Sequence, residues 1–85
     1  MSVVLHYYSA TWCGPCKMFG PIMDEVSAEV PVVKFDIDSL TPEQLTDSKV
    51  RSVPTIVLLE NNVEQKRFSG VKSYDAVIDW INHGN

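Results

Sequence analysis

Trp12-Cys13-Gly14-Pro15-Cys16-Lys17 is the stretch that decides how this chain folds and what it does. Its two cysteines stand three positions apart and are the only cysteines among 85 residues. Upstream, Val3 to Tyr8 is rich in β-branched and aromatic residues and reads as a strand. Downstream, Met18, Phe19, Ile22, Met23 and Val26 recur at three- and four-residue steps, which predicts a helix from about Gly14 to Val30. Pro15 suits the first turn of that helix, where its missing N–H has no intrahelical partner. Pro21 lies inside it and predicts a kink. Cys13 is therefore placed at a helix N-terminus, where unpaired N–H groups and the macrodipole favour negative charge. Such a site lowers a thiol pKa below its free value of ~8.5. A thiolate there attacks a disulfide and forms a mixed disulfide, and Cys16, one turn deeper, is placed to resolve it. The pair reads as a dithiol–disulfide exchange centre.

A metal half-site is the competing reading, with His6 or His83 completing the ligands. Pro15 stiffens the loop between the sulfurs, and neither histidine has a spacing that converges on them. His6 reads as a strand residue and His83 as a frayed C-terminal one. Two cysteines cannot close a four-cysteine zinc or iron–sulfur site within one chain, nor staple a disulfide-dense secreted scaffold. A site shared between two chains stays open, and nothing supports it. No resident metal is expected.

The rest of the composition bounds the remaining classes. A chain of 85 residues with 45% apolar and 21% charged residues is one globular domain, 1–85, rather than a disordered segment. Seven basic against eleven acidic residues give a net charge of −4, the wrong sign for generic binding to nucleic acid or an anionic membrane. The N-terminus lacks a basic region, and no apolar stretch approaches the ~20 residues of a membrane span. The expected location is cytoplasmic, where a close cysteine pair is more often catalytic or metal-binding than structural.

The remaining elements follow in turn. Val32 to Ile37 reads as a second strand, bounded by Pro31 and Asp38. Thr41-Pro42-Glu43-Gln44 carries an N-cap, a first-turn proline and a capping box, opening a short helix that ends near Lys49. Thr55 to Leu59 is a continuous apolar run of the kind buried on both faces. Asn61-Asn62 supports a tight hairpin, since Asn tolerates positive φ. Val63 to Ser69 returns as a polar edge strand, Gly70 breaks it, and Ser73 caps a last helix through Ile81. The apolar face of that helix is Tyr74, Val77, Ile78 and Ile81. The order β-α-β-α-β-β-α predicts an α/β fold, a mixed four-stranded sheet with three helices on its two faces.

The six-residue motif resembles the active site of the thioredoxin family, in a short, glutaredoxin-sized form. Pro21, Lys34 with Asp36-Ile37-Asp38, Val53-Pro54-Thr55 and Gly70 agree in order, so the resemblance runs from Val3 to Ile81. It implies a thioredoxin-like fold in which Pro54 is a cis-proline facing the cysteines. The Val53 backbone would then pair with an extended substrate segment, beside Thr55. Trp12, Gly70 and Val71 would complete an apolar rim around Cys13, and Gly14, Pro15 and Lys17 belong to the motif. By resemblance, Gly-Pro between the cysteines accompanies reducing rather than oxidising relatives. It also implies re-reduction by a thioredoxin reductase-like NADPH-dependent flavoprotein, with FAD and NADPH acting only through that partner. Clients would be disulfide-forming enzymes such as ribonucleotide reductase, and the chain a monomer with no bound cofactor.

Two departures stand out. Typical members begin with an extra strand and helix, whereas this chain begins at the strand before the motif, which predicts a more marginal domain. The family's buried aspartate falls at Tyr7, and a phenol with a pKa of ~10 is a poor base at neutral pH. Lys34, the usual partner of that aspartate, is left without it. Deprotonation of Cys16 is then expected to use water, Lys34 or the departing thiolate. Ser9 replaces a common tryptophan and opens the adjacent surface. The expected activity is protein disulfide reduction through Cys13 and Cys16. The alternatives are a glutathione-dependent, glutaredoxin-like reductase or a redox-independent binding subunit.

Overall fold

Four strands and three helices form in the expected order in the computed structural model, which describes residues 2–83. They are β1 (Val3–Ser9), α1 (Gly14–Val26), β2 (Val32–Asp36), α2 (Pro42–Ser48), β3 (Thr55–Glu60), β4 (Val63–Ser69) and α3 (Tyr74–Asn82). The sheet order is β2-β1-β3-β4, with β1 and β2 parallel and the other pairs antiparallel. β3 lies inside the sheet, so its residues Thr55 to Leu58 are buried on both faces. β4 takes an edge, where its charged residues meet water. Asn61 and Asn62 both adopt positive φ in the hairpin between them.

Several element ends shift by a residue, and at α1 and β2 the difference has a local reason. α1 ends at Val26 rather than Val30, and the chain continues through turn hydrogen bonds from Glu29 and Val30 to the Val26 carbonyl. Pro31 disfavours helical backbone at Val30, which keeps the helix from running on through it. β2 ends at Asp36 because its carboxylate accepts the Asp38 N–H at 3.0 Å and starts a short 3-10 turn over Ile37–Ser39. Pro21 sits inside a continuous α1.

One sheet face carries the main core. Leu5 and Tyr7 of β1 and Ile56 and Leu58 of β3 meet Phe19, Met23 and Val26 of α1 and Val77 of α3. Each large side chain buried this way contributes roughly 1.5–3 kcal/mol. The predicted face of α3 packs against this cluster, and so does Trp80, which crosses Phe68 edge-on at 4.7 Å between ring centroids. The other face carries His6, Tyr8 and Phe35, whose rings contact one another, and Arg67. The Arg67 guanidinium donates to the carbonyls of Ser48 and Lys49, tying the end of α2 to the sheet. The register Tyr8↔Thr55 brings the start of β3 beside the end of β1. Residues 53–54 therefore arrive next to the loop that carries the cysteines.

Candidate active site

Cys13 is the N-cap of α1, with extended backbone, and its sulfur accepts the Cys16 N–H at 3.1 Å. The two cysteines are joined in a disulfide with their Cα atoms 5.2 Å apart, and each is 5% exposed. Pro15 lies in the first turn and no acidic residue stands there, so nothing opposes negative charge on the first sulfur. In the dithiol form the same N–H would meet a thiolate, a charge-assisted bond of roughly twice the usual strength. Cys13 and Cys16 pack with Ala10, and Ile37 and Val53 lean on them. Gly14, Pro15 and Lys17 sit exposed around the pair.

The loop before β3 faces the disulfide. The Val53–Pro54 peptide bond is cis, and the Val53 carbonyl oxygen lies 3.6 Å from the Cys13 sulfur. Pro54 is fully buried, and its carbonyl accepts the Gly70 N–H at 3.0 Å. Gly70 adopts φ +91°, a backbone conformation that a side chain would strain. Thr55 points inward, its hydroxyl donating to the Ser52 carbonyl at 2.7 Å and lying 3.2 Å from the Ser69 hydroxyl. Trp12 is 65% exposed rather than packed, and its indole N–H donates to the Asp38 carboxylate at 2.8 Å. Val71 is exposed too. Asp38, 26 residues from Trp12, could not be paired with it by any local signal.

Beneath Cys16 lies Tyr7. Tyr7 is 2% exposed, and its hydroxyl donates to the Cys16 backbone carbonyl at 3.3 Å, not to the thiol. Burial pushes the phenol above its usual pKa, opposed by the Ser9 hydroxyl and reinforced by the negative charge of Asp24. Tyr7 therefore stays protonated at neutral pH. The Lys34 ammonium lies 5.7 Å from the Tyr7 ring centroid, a cation–π contact. A cavity of about 530 Å³ opens beside these groups, lined among others by Cys16, Gly20, Asp24, Lys34 and Asp36. Gly20 and Asp24 escaped the sequence reading, although they follow Cys16 at four-residue steps along α1.

The histidines stand apart from the sulfurs. His6 meets the Phe35 ring edge-on at 5.0 Å between centroids, with Tyr8 stacked on the same Phe35, and burial lowers the His6 pKa. His83 caps α3, and its carbonyl accepts from the Lys66 ammonium. Among the described residues no group of three His, Cys, Asp or Glu side chains is arranged to hold a metal. No described helix is long and apolar enough to cross a membrane.

Comparison with known proteins agrees with this geometry. The family model described as Thioredoxin matches residues 1–83. The thioredoxin of Rickettsia conorii is 41% identical over 83 residues, covering 93% of this chain and 78% of the relative. That of Chlamydia trachomatis is 39% identical over 82 residues, covering 93% and 79%. A bifunctional thioredoxin reductase/thioredoxin of Mycobacterium leprae is 38% identical over 79 residues, 88% of this chain but 17% of that protein. Among solved structures, a mutant thioredoxin from Halobacterium salinarum superposes with a TM-score of 0.87 at 32% identity, covering 95% of this chain and 73% of that one.

Proposed function

The chain belongs to the thioredoxin family and is a thiol–disulfide oxidoreductase, and from that premise we propose that it runs in the reducing direction, as an electron donor to protein disulfides in the cytoplasm. Cys13 is the nucleophile and Cys16 the resolving thiol. The Cys13 thiolate attacks a client disulfide; a new S–S bond forms to one client sulfur and the other leaves as a thiolate that takes a proton from water. Cys16 gives up its proton and attacks the Cys13 sulfur, the client sulfur bonded to Cys13 leaves as a thiolate that is then protonated, and the protein becomes the disulfide seen here. Two electrons pass from the Cys13–Cys16 dithiol to the client.

The observation that carries this reading is the Cys16 N–H at 3.1 Å from the Cys13 sulfur, with the Val53 carbonyl at 3.6 Å on its other side. The first supports a thiolate. The second sets the backbone of the Val53-Pro54 loop where an extended client segment would pair with it as an added strand. Thr55, with its hydroxyl held inside, supports that loop rather than contacting a client, while Trp12, Gly70 and Val71 border it. An NADPH-dependent flavoprotein would restore the dithiol, and the fused reductase/thioredoxin of Mycobacterium leprae supports a partner of this kind. Enzymes that form a disulfide at each turnover, ribonucleotide reductase among them, are the proposed clients. The relatives are thioredoxins, which disfavours the glutathione-dependent and redox-independent readings.

The test is a trap. With Cys16→Ser, Cys13 should accumulate mixed disulfides with client proteins, and the wild-type protein should draw NADPH oxidation from a thioredoxin reductase but not from glutathione and its reductase. An empty trap in which Cys13 is nonetheless fully alkylated would reject a broad reductase role.

A further inference from the structure

A phenol rather than a carboxylate lies beneath Cys16, and the resolving step needs somewhere to put the Cys16 proton. Tyr7 cannot take it: its phenol is already protonated, and its hydrogen bond goes to the Cys16 carbonyl. The titratable groups around the cavity beside Cys16 are Tyr7 from β1, Lys17 and Asp24 from α1, and Lys34 and Asp36 from β2. Lysines are cations at neutral pH and donate rather than accept. Two carboxylates remain: Asp36, whose Oδ1 accepts the Asp38 N–H that starts the 3-10 turn, and Asp24, which stands on the same helix as Cys16.

Asp24 is the one that the backbone points to. Cys16, Gly20 and Asp24 follow one another at four-residue steps, so they share one stripe of α1. The separation along the axis is about 12 Å, and Asp24, exposed to solvent, lines the same cavity as Cys16. Between them Gly20 contributes no side chain, and a Cβ built there would meet nothing within 4 Å. A glycine inside a helix costs roughly 0.5–1 kcal/mol against alanine, and no close backbone approach explains it here. What it does is leave the cavity open between the thiol and the acid. The cavity, at about 530 Å³, has room for several bridging waters, and Ser9, Thr11, Asp24 and Asp36 offer them hydrogen bonds along a lining that is mostly apolar.

We propose that Asp24 accepts the Cys16 proton through water in the cavity that Gly20 leaves open. The inference rests on the reductase reading above. As Cys16 sulfur bonds to Cys13 sulfur and the Cys13–client bond breaks, the Cys16 proton passes along water to the Asp24 carboxylate. The departing client thiolate keeps the electron pair, and Asp24 returns its proton to solvent.

The reaction of the reduced protein with excess 5,5′-dithiobis(2-nitrobenzoate) separates the steps by absorbance. The first equivalent of chromophore leaves when Cys13 attacks, and the second leaves when Cys16 resolves. Asp24→Asn should slow the second phase about tenfold near pH 7 and leave the first within about twofold. The deficit should close above about pH 9, where a thiol of free pKa ~8.5 ionises unaided. Gly20→Leu, which fills the channel while keeping Asp24, should reproduce the same split, with circular dichroism confirming that each variant is folded. An equal loss at every pH, a second phase unchanged in Asp24→Asn, or the deficit appearing in Asp36→Asn instead would each overturn the assignment. If the wild-type protein released only one equivalent, the reductase reading itself would fail, which is a separate result.

Discussion

At position 7 a phenol stands where a carboxylate would be both base and burial penalty. An unpaired buried carboxylate destabilises a fold, whereas Tyr7 is buried at little cost because its hydroxyl donates to the Cys16 carbonyl. Its edge-on packing against Phe19, at 5.8 Å between centroids, adds to the core. Chemistry and stability thereby separate at this residue. Tyr7→Phe should lower disulfide-reductase turnover by less than about tenfold, far below the loss expected from removing a general base. It should cost about 1 kcal/mol in urea unfolding for the lost hydrogen bond. Because the folded phenol has a raised pKa, its stabilising contribution is complete below the unfolded value of about 10 and is lost as pH rises through the folded one. Alkaline destabilisation should therefore be shallower in Tyr7→Phe than in the wild type. A hundredfold loss of turnover would instead make the hydroxyl essential.

Among the elements, α2 depends most on a single side chain. It spans seven residues, too short to be stable alone, and its capping box at Thr41 and Gln44 secures only the N-terminal end. Arg67 on β4 secures the other end by donating to the Ser48 and Lys49 carbonyls at 3.0 and 3.3 Å. The same guanidinium pairs with Glu64, whose carboxylate it holds below the usual range. Exposed ion pairs contribute little, while bonds from a charged donor to orphan helix carbonyls contribute more. Arg67→Ala should then cost about 1–2 kcal/mol, and Glu64→Gln less than about 0.5. Equal costs in denaturant melts would assign the effect to the ion pair. α1 teaches a related lesson, since its end is set not by its apolar periodicity, which runs on to Val30, but by Pro31 beyond it.

For the whole molecule, one core on one sheet face carries cooperativity, and Phe19 is its centre, fully buried against Tyr7 and Phe68. A domain of this length holds about 4–13 kcal/mol of net stability. Phe19→Ala should remove about 3–5 kcal/mol of it, read as a lowered urea midpoint with unchanged slope. A cost under about 1.5 kcal/mol would mean that the core collapses around the gap. Much of this architecture was legible in the chain: the strand before the cysteines, the capped helices, the double-asparagine hairpin and the Cys13–Cys16 pair are local patterns of period, cap and turn. Trp80 against Phe68, Arg67 against α2, Trp12 against Asp38 and the cavity from Cys16 to Asp24 were not, because each joins residues far apart in the chain or a face that only packing defines. The sequence by itself determined the elements and the identity of the redox pair, since hydrogen-bond periodicity and thiol chemistry act over a few residues. Only the tertiary structure decided what surrounds that pair, because antiparallel pairing of β1 with β3 carries Val53 and Pro54 across 40 residues to the Cys13 sulfur.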